Sequence, residues 1–259
     1  MDRRSFLVKG ASLVGGCLLG LSGFSRVYAF EKLSPSYSLN PSISLIIDDI
    51  GLSESQARQF LQLNIPMTFA VLPRLKYSTI LAREISACGH EIMLHQPMEP
   101  GDPRVDPGPG ALYVGDNPNT INRIIEENIA ELPLATGINN HMGSRFTESR
   151  EKMTETLRVV KESGLFFVDS RTSQHSKGYR VARTLRMPAA YRHIFLDHVL
   201  SESAILLQLR KLKQCALQYG TAIGIGHPFP QTAHALKLFA EKCNSPKVSF
   251  VHVSKVLNG

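Results

Sequence analysis

Few side chains in this 259-residue chain are equipped to do chemistry, and they are regularly placed. Asp48 and Asp49 follow one short apolar run, and His95 follows another. His141, Asp169, Asp197 and His227 each stand at the downstream end of a further run with strand character. One such residue means little, because an Asp at a strand end often caps the next helix. That simpler role is expected for Asp197 and is as good as a functional one for Asp169. Seven residues that bind metals or move protons, all at the same ends of their strands, point to a site. In α/β barrels and open parallel sheets, active sites are built at the C-terminal strand ends.

Spacing excludes several common chemistries. No Gly-rich phosphate loop or dinucleotide turn follows a strand, and Asp48-Asp49-Ile50 lacks the Asp-x-Asp arrangement of aspartyl-phosphate enzymes. There is no Gly-x-Ser-x-Gly elbow and no His-x-x-x-His pair on one helix turn. What remains is carboxylate and imidazole ligation from separate strands. A donor set without thiolate suits Zn²⁺ or another late first-row divalent ion with an open position.

The elements that must position these residues alternate. Apolar runs at 43–47, 67–72, 91–94, 137–139, 165–168, 193–196, 222–225 and 248–251 have strand character. Helical patterns at 53–63, 77–88, 119–131, 150–163, 201–219 and 232–243 lie between them. Ser53 with Gln56 makes a capping box, and Gly89, Gly164 and Gly220 close helices. Strand and helix alternating in one chain without an internal repeat predicts an α/β domain, open-wound or closed as a barrel. Between Pro97 and Leu112 stand five prolines and three glycines. So rigid a loop beside His95 is equally suited to forming one wall of a groove or an ordinary surface connection.

Composition agrees with a globular domain: 43% of residues are apolar and 20% charged. The net charge of +7 does not mark a nucleic-acid partner. Residues 1–29 carry +3 of it, and no four Lys or Arg run together anywhere else. Downstream of those residues, no stretch reaches the roughly 18 apolar residues of a membrane span.

Residues 1–29 have the order of an export signal. Arg3-Arg4 precede Phe6, Leu7 and Lys9, an apolar Gly-rich run follows, and Val27-Tyr28-Ala29 ends it with a small-residue cleavage site. The paired arginines resemble the twin-arginine (Tat) signal, which implies a periplasmic or secreted protein. An uncleaved N-terminal helix and lipidation at Cys17 are the alternatives. Residues 30–41 form a polar lead-in, and the domain is expected over 42–259. Cys88, Cys215 and Cys243 would then remain, which is neither a disulfide framework nor a metal-ligand spacing. Cys88 and Cys215 are expected to be buried in helices.

ISLIIDDIG at 43–51, GHEIMLHQPMEP at 89–100, GINNHMGSRFT at 137–147, LFFVDSRTS at 165–173, FLDH at 195–198 and AIGIGHPFPQT at 222–232 together resemble the divergent polysaccharide deacetylase family. The blocks occur in the family's order and span nearly the whole expected domain. That family is related to the chitin and peptidoglycan deacetylases. The resemblance implies a distorted (β/α) barrel of about seven to eight strands and a single divalent metal, Zn foremost. It also implies metal-dependent hydrolysis of N- or O-acetyl groups on an envelope or extracellular polysaccharide. Carried over by motif, Asp48 is the base, Asp49 a metal ligand and His227 the acid. The better-known relatives place a second histidine four residues after the first, where this chain has Glu99. The resemblance therefore favours His141 beside His95 and Asp49 as ligands. Glu99 is left as a further ligand or a substrate contact. Arg145 is expected either to hold the Asp pair ionised or to form a plain salt bridge. A non-catalytic periplasmic glycan-binding module with a vestigial metal site is the alternative, against which the retained carboxylates and His227 argue.

Overall fold

The structure, a computed structural model, describes residues 41–242 and 248–257. The expected export signal, nearly all of the expected lead-in, Cys17 and Cys243 fall outside these residues. In chain order the elements are β1 (Ser42–Ile50), α1 (Glu54–Leu61), β2 (Thr68–Val71), α2 (Ser78–Ala87), β3 (Glu91–Met98), α3 (Pro118–Glu131), β4 (Ala135–Met142), α4 (Arg150–Glu162), β5 (Phe166–Asp169), α5 (Gly178–Thr184), β6 (Ala189–Tyr191), β7 (Ile194–Phe195), α6 (Glu202–Tyr219), β8 (Thr221–Gly226), α7 (Pro230–Lys242) and β9 (Ser249–Phe250). Side chains of Ser53, Asn117, Ser149 and Ser201 accept the orphan N–H groups that open α1, α3, α4 and α6. Gly220, at φ 86°, ends α6 in a conformation that a Cβ would disfavour.

All strand pairs are parallel, in the order β6-β5-β4-β3-β2-β1-β8-β7, with β9 beside the first two residues of β1. The two edge strands of that order are separated in the chain only by Arg192 and His193. The Arg192 N–H donates to the Asp169 carbonyl, and the His193 N–H to that of Ile223. Residues 189–195 therefore pair with β5 through their first half and with β8 through their second. This single strand curls the sheet into the expected distorted barrel.

Strand alternation gives each face its own core. Ile43, Leu45 and Ile47 of β1 face the helices and pack in the main core with residues such as Phe60, Leu81, Leu157 and Leu209. Ile46 faces the other way, with Ala70, Met93, Val168, Ile223 and Ile225, into the barrel interior. Val253 and Val256 fill the lower end of that interior. Buried Glu91 and Thr68 hold this plug: the Thr68 hydroxyl donates to Glu91 and accepts the Val253 N–H, and Glu91 also accepts the Ser254 N–H.

The structure corrects several sequence expectations. Strands β1, β3 and β4 run further than their apolar runs, so Asp48, Asp49, His95 and His141 lie within strands rather than after them. Polar residues continue these strands because ladder hydrogen bonds, not apolarity, define them. Neither α5 nor β6 was expected, since seven and three residues are too few to show a period. Cys88 is exposed at the end of α2 rather than buried. Among the described residues no helix is long and apolar enough to cross a membrane.

Candidate metal and acid–base site

Alternation should send Asp48 and Asp49 to opposite faces of β1. A β-bulge prevents this: the pairing with β2 slips by one residue between Ile47 and Ile50. Asp49 sits at the bulge with φ 58°, a left-handed conformation that Asp tolerates better than most residues. Asp48 keeps the inward face of Ile46, and the bulge turns Asp49 toward the same space.

Three donor atoms converge there. Asp49 Oδ1 lies 2.9 Å from His141 Nδ1 and 3.2 Å from His95 Nε2, and the two ring nitrogens are 3.2 Å apart. The three residues form the cluster able to hold a metal among the described residues. Asp49 Oδ1 is buried yet makes no well-aligned hydrogen bond, although both rings are close. Burial alone would raise the Asp49 carboxyl, but His141 and His95 outweigh it and hold the group well below the usual carboxylate range.

The hydrogen bonds behind the cluster set its chemistry. Asn139 gives its amide N–H₂ to Asp48 Oδ1 at 2.8 Å and to the Ser170 hydroxyl at 3.2 Å. Its carbonyl oxygen therefore faces His95 Nδ1, at 2.7 Å, and that nitrogen carries a proton. In its neutral form His95 would direct the Nε2 lone pair at Asp49 Oδ1 and His141 Nδ1. Acceptors facing acceptors at this range repel unless a proton or a cation lies among them. Ligands of a tetrahedral zinc ion stand roughly 3.3 Å apart, so the donor set and its spacing fit a small divalent ion. Locking a ligating imidazole through its other nitrogen is the usual way such ligands are oriented.

Asp48 is buried, with Oδ2 3.6 Å from His95 Nε2. Burial raises its carboxyl above the ordinary value, against the opposing pull of His95 and His227. His227 comes from just beyond β8, next to β1 in the sheet, and its Nε2 is 3.8 Å from Asp49 Oδ2. Its Nδ1 is 3.0 Å from Asp197 Oδ1. Burial alone would lower the His227 pKa; the Asp197 hydrogen bond and the Asp48, Asp197 and Asp49 carboxylates outweigh it and push it up to about 9. His227 is thus held protonated opposite a carboxylate.

Asp48, Asp49, His95, His141 and His227 line a cavity of about 450 Å³ together with Arg171, Arg192 and Phe195, whereas Asn139 and Asp197 do not line it. Three other sequence candidates do not line it. The Glu99 carboxylate accepts the Val114 N–H and pairs with Arg145 at 2.8 Å. Arg145 therefore forms the plain salt bridge instead of holding the Asp pair, and Glu99 stands apart from the donor cluster because it follows the end of β3. Asp169 is buried facing the helices; it accepts N–H groups of Arg171 and Tyr179 and the Ser176 hydroxyl, and so fixes the loop after β5. The Pro-rich loop also stays off the cavity, tied down by Gln96 and Asn128 through the Gly110 carbonyl. Sequence reasoning missed Asn139, Arg192 and the positioning role of Asp197. Asn139 lies two residues before His141, so it shares that strand face, and this was the available signal.

A family model for divergent polysaccharide deacetylases matches residues 45–257. The chain is 30% identical to the uncharacterized protein YibQ of Escherichia coli K12 over 235 residues, which is 90% of this chain and 73% of that protein. Among solved structures, it resembles an uncharacterized Agrobacterium tumefaciens C58 protein, ATU2773, with a TM-score of 0.80 and 24% identity over 85% of this chain and 90% of the other. The catalytic domain of a peptidoglycan N-acetylglucosamine deacetylase from Eubacterium rectale shares the fold at a TM-score of 0.53 and 13% identity, over 85% and 90% of the two chains. The matched region begins within β1 and takes in every residue of the metal and acid–base cluster, and the chain belongs to the divergent polysaccharide deacetylase family.

Proposed function

We propose that the protein is a metal-dependent hydrolase that removes N- or O-acetyl groups from an envelope or extracellular polysaccharide. The observation that carries this is the meeting of Asp49, His95 and His141 in one cavity, with carboxylate Asp48 and protonated His227 beside them. A glycan-binding role alone needs no such pairing of a base with an acid.

Asp49, His95 and His141 would hold the ion, Zn²⁺ being the best match to one oxygen and two imidazole nitrogens. When bound, such an ion polarises an acyl oxygen and lowers the pKa of water. Asp48 takes the proton of the water that attacks the acetyl carbon. His227 gives a proton to the departing amine nitrogen or alkoxide oxygen, and Asp197 keeps its ring aimed and charged. Asn139 orients base and ligand together, since it bonds both Asp48 and His95. The products are acetate and the free amino or hydroxyl sugar. The sequence of residues 1–29 supports action outside the cytoplasm after export.

Acetate release from a panel of N- and O-acetylated glycans, run beside metal analysis of the purified protein, tests this. Release by the wild type and none by Asp48→Asn is expected. A metal-loaded wild type that releases no acetate from any glycan would favour the glycan-binding alternative.

A further inference from the structure

Two guanidinium groups on the cavity wall have no part in the chemistry above. Arg171 and Arg192 both line the cavity that holds Asp49 and His227. Arg192 is anchored: its Nε donates to the Ser170 carbonyl at 2.6 Å and its Nη2 to the Arg171 carbonyl at 2.8 Å. Its guanidinium also lies over the Phe195 ring at 4.9 Å. The Arg171 guanidinium stacks on Tyr191 at 3.9 Å. Among the described residues neither guanidinium forms an ion pair with a carboxylate, although six Arg–carboxylate pairs occur elsewhere. Arg171 is close enough to repel the Arg192 guanidinium, which the Asp48 and Asp169 carboxylates attract without pairing with it.

Arg171 also occupies an unfavourable backbone. Its φ is 51°, and of the five described non-glycine residues with positive φ, three line this cavity: Asp49, Met142 and Arg171. Such strain persists where the surroundings over-determine it, and it gathers at ligand sites. Asp169 supplies the constraint by accepting the Arg171 N–H. Two like charges thus stand on aromatic seats in the cavity wall, neither paired with a carboxylate among the described residues. That arrangement is costly in the free protein and favourable once an anion enters.

We propose that Arg171 and Arg192 bind an anionic substituent of the sugar, a carboxylate or a phosphate, so that the substrate is an acidic glycan. This rests on the deacetylase reading of the neighbouring site and specifies its substrate class. The acetyl group would sit at the ligand cluster while the anionic substituent meets the arginine wall.

Calorimetric titration of the purified protein tests it with three oligosaccharides of one length: a uronate oligomer, its carboxyl-reduced neutral counterpart, and a phosphorylated counterpart. At least one charged form should bind ~10-fold or more tightly than the neutral one, and the tighter of the two identifies the substituent. Arg171→Gln, at an exposed position, and Arg192→Gln should each remove that preference, while Arg192→Lys should keep part of it. Equal affinity for all three oligomers, or an undiminished preference in Arg171→Gln, would overturn the proposal. Acetate release is scored separately on acetylated acidic and neutral glycans. Release without charge preference counts against the arginine wall alone, and charge-dependent binding without release counts against the deacetylase reading alone.

Discussion

Asp48 and Asp49 are adjacent in the chain and yet face the same cavity, because a bulge with Asp49 at φ 58° interrupts the alternation of β1. One residue faces a hydrogen-bonding amide and the other two imidazoles. Burial moves the pKa of Asp48 upward despite its partners, while the two imidazoles outweigh burial and move that of Asp49 downward. Environments that separate two neighbouring carboxylates in this way assign them different tasks.

Substitution of the base should separate catalysis from metal binding. Asp48→Asn keeps the shape of the residue and leaves Asp49 to bind the ion. It should lower kcat by at least ~10²–10⁴-fold with metal content unchanged by elemental analysis. Loss of metal in this variant would mean that Asp48 is itself a ligand.

The pH dependence should follow from the acid and the base. Asp48 must be ionised to accept a proton, and burial holds its pKa above 3.8, so the acidic limb of the rate profile lies above that value. His227 must be protonated to donate, and its pKa is about 9, so activity falls as pH rises through that range. Asp197→Asn removes a charge that keeps the imidazolium stable against burial and leaves at most a neutral acceptor for the ring N–H. Its alkaline limb should therefore move to lower pH in initial-rate measurements, while an unmoved limb would detach His227 from that limb.

Much of this site was legible before any coordinates. Residue types at strand ends picked out Asp48, Asp49, His95, His141 and His227, because parallel α/β architecture gathers those ends. Glu99 lies just past a strand, where spacing no longer fixes direction, and it takes Arg145 as its partner, so of the two roles expected for Arg145 the plain salt bridge is the one formed. Asp197 looked like a cap, and it does accept the Thr232 hydroxyl near the start of α7. Its bond to His227 joins residues 30 positions apart, which no local pattern displays. Of the barrel's closing strand the half at 193–196 was legible, whereas β6, only three residues long, showed no period, and its pairing with β5 is not local either.

Asn139 should prove to be a positioning residue. It is buried, and it joins Asp48, His95 and Ser170. Asn139→Ala should weaken metal affinity by ~10–100-fold, as loss of an outer partner of a ligand does. It should also cost about 1–3 kcal/mol of stability by leaving buried polar atoms unpaired. Competition with a chelator and urea denaturation measure the two effects, and unchanged metal affinity would reduce Asn139 to a packing role.

Gly137 tests the barrel wall independently of chemistry. It pairs with Phe166 between β4 and β5, and a methyl group there would overlap that ring. Gly137→Ala should destabilise the fold by ~1–3 kcal/mol through overpacking, read as a lower urea midpoint with the same slope. An unchanged midpoint would show that the Phe166 ring moves aside freely.

One ion held by Asp49, His95 and His141 is what we propose makes this cavity an acetyl hydrolase. The most direct measurement is acetate release from an acetylated glycan by metal-stripped protein as Zn²⁺ is added. No release is expected without metal, then a rise that ends at one equivalent, and no such rise in His141→Ala. Release that chelation does not diminish, or a one-equivalent binding event in the wild type that brings no acetate from any glycan, would contradict the proposal.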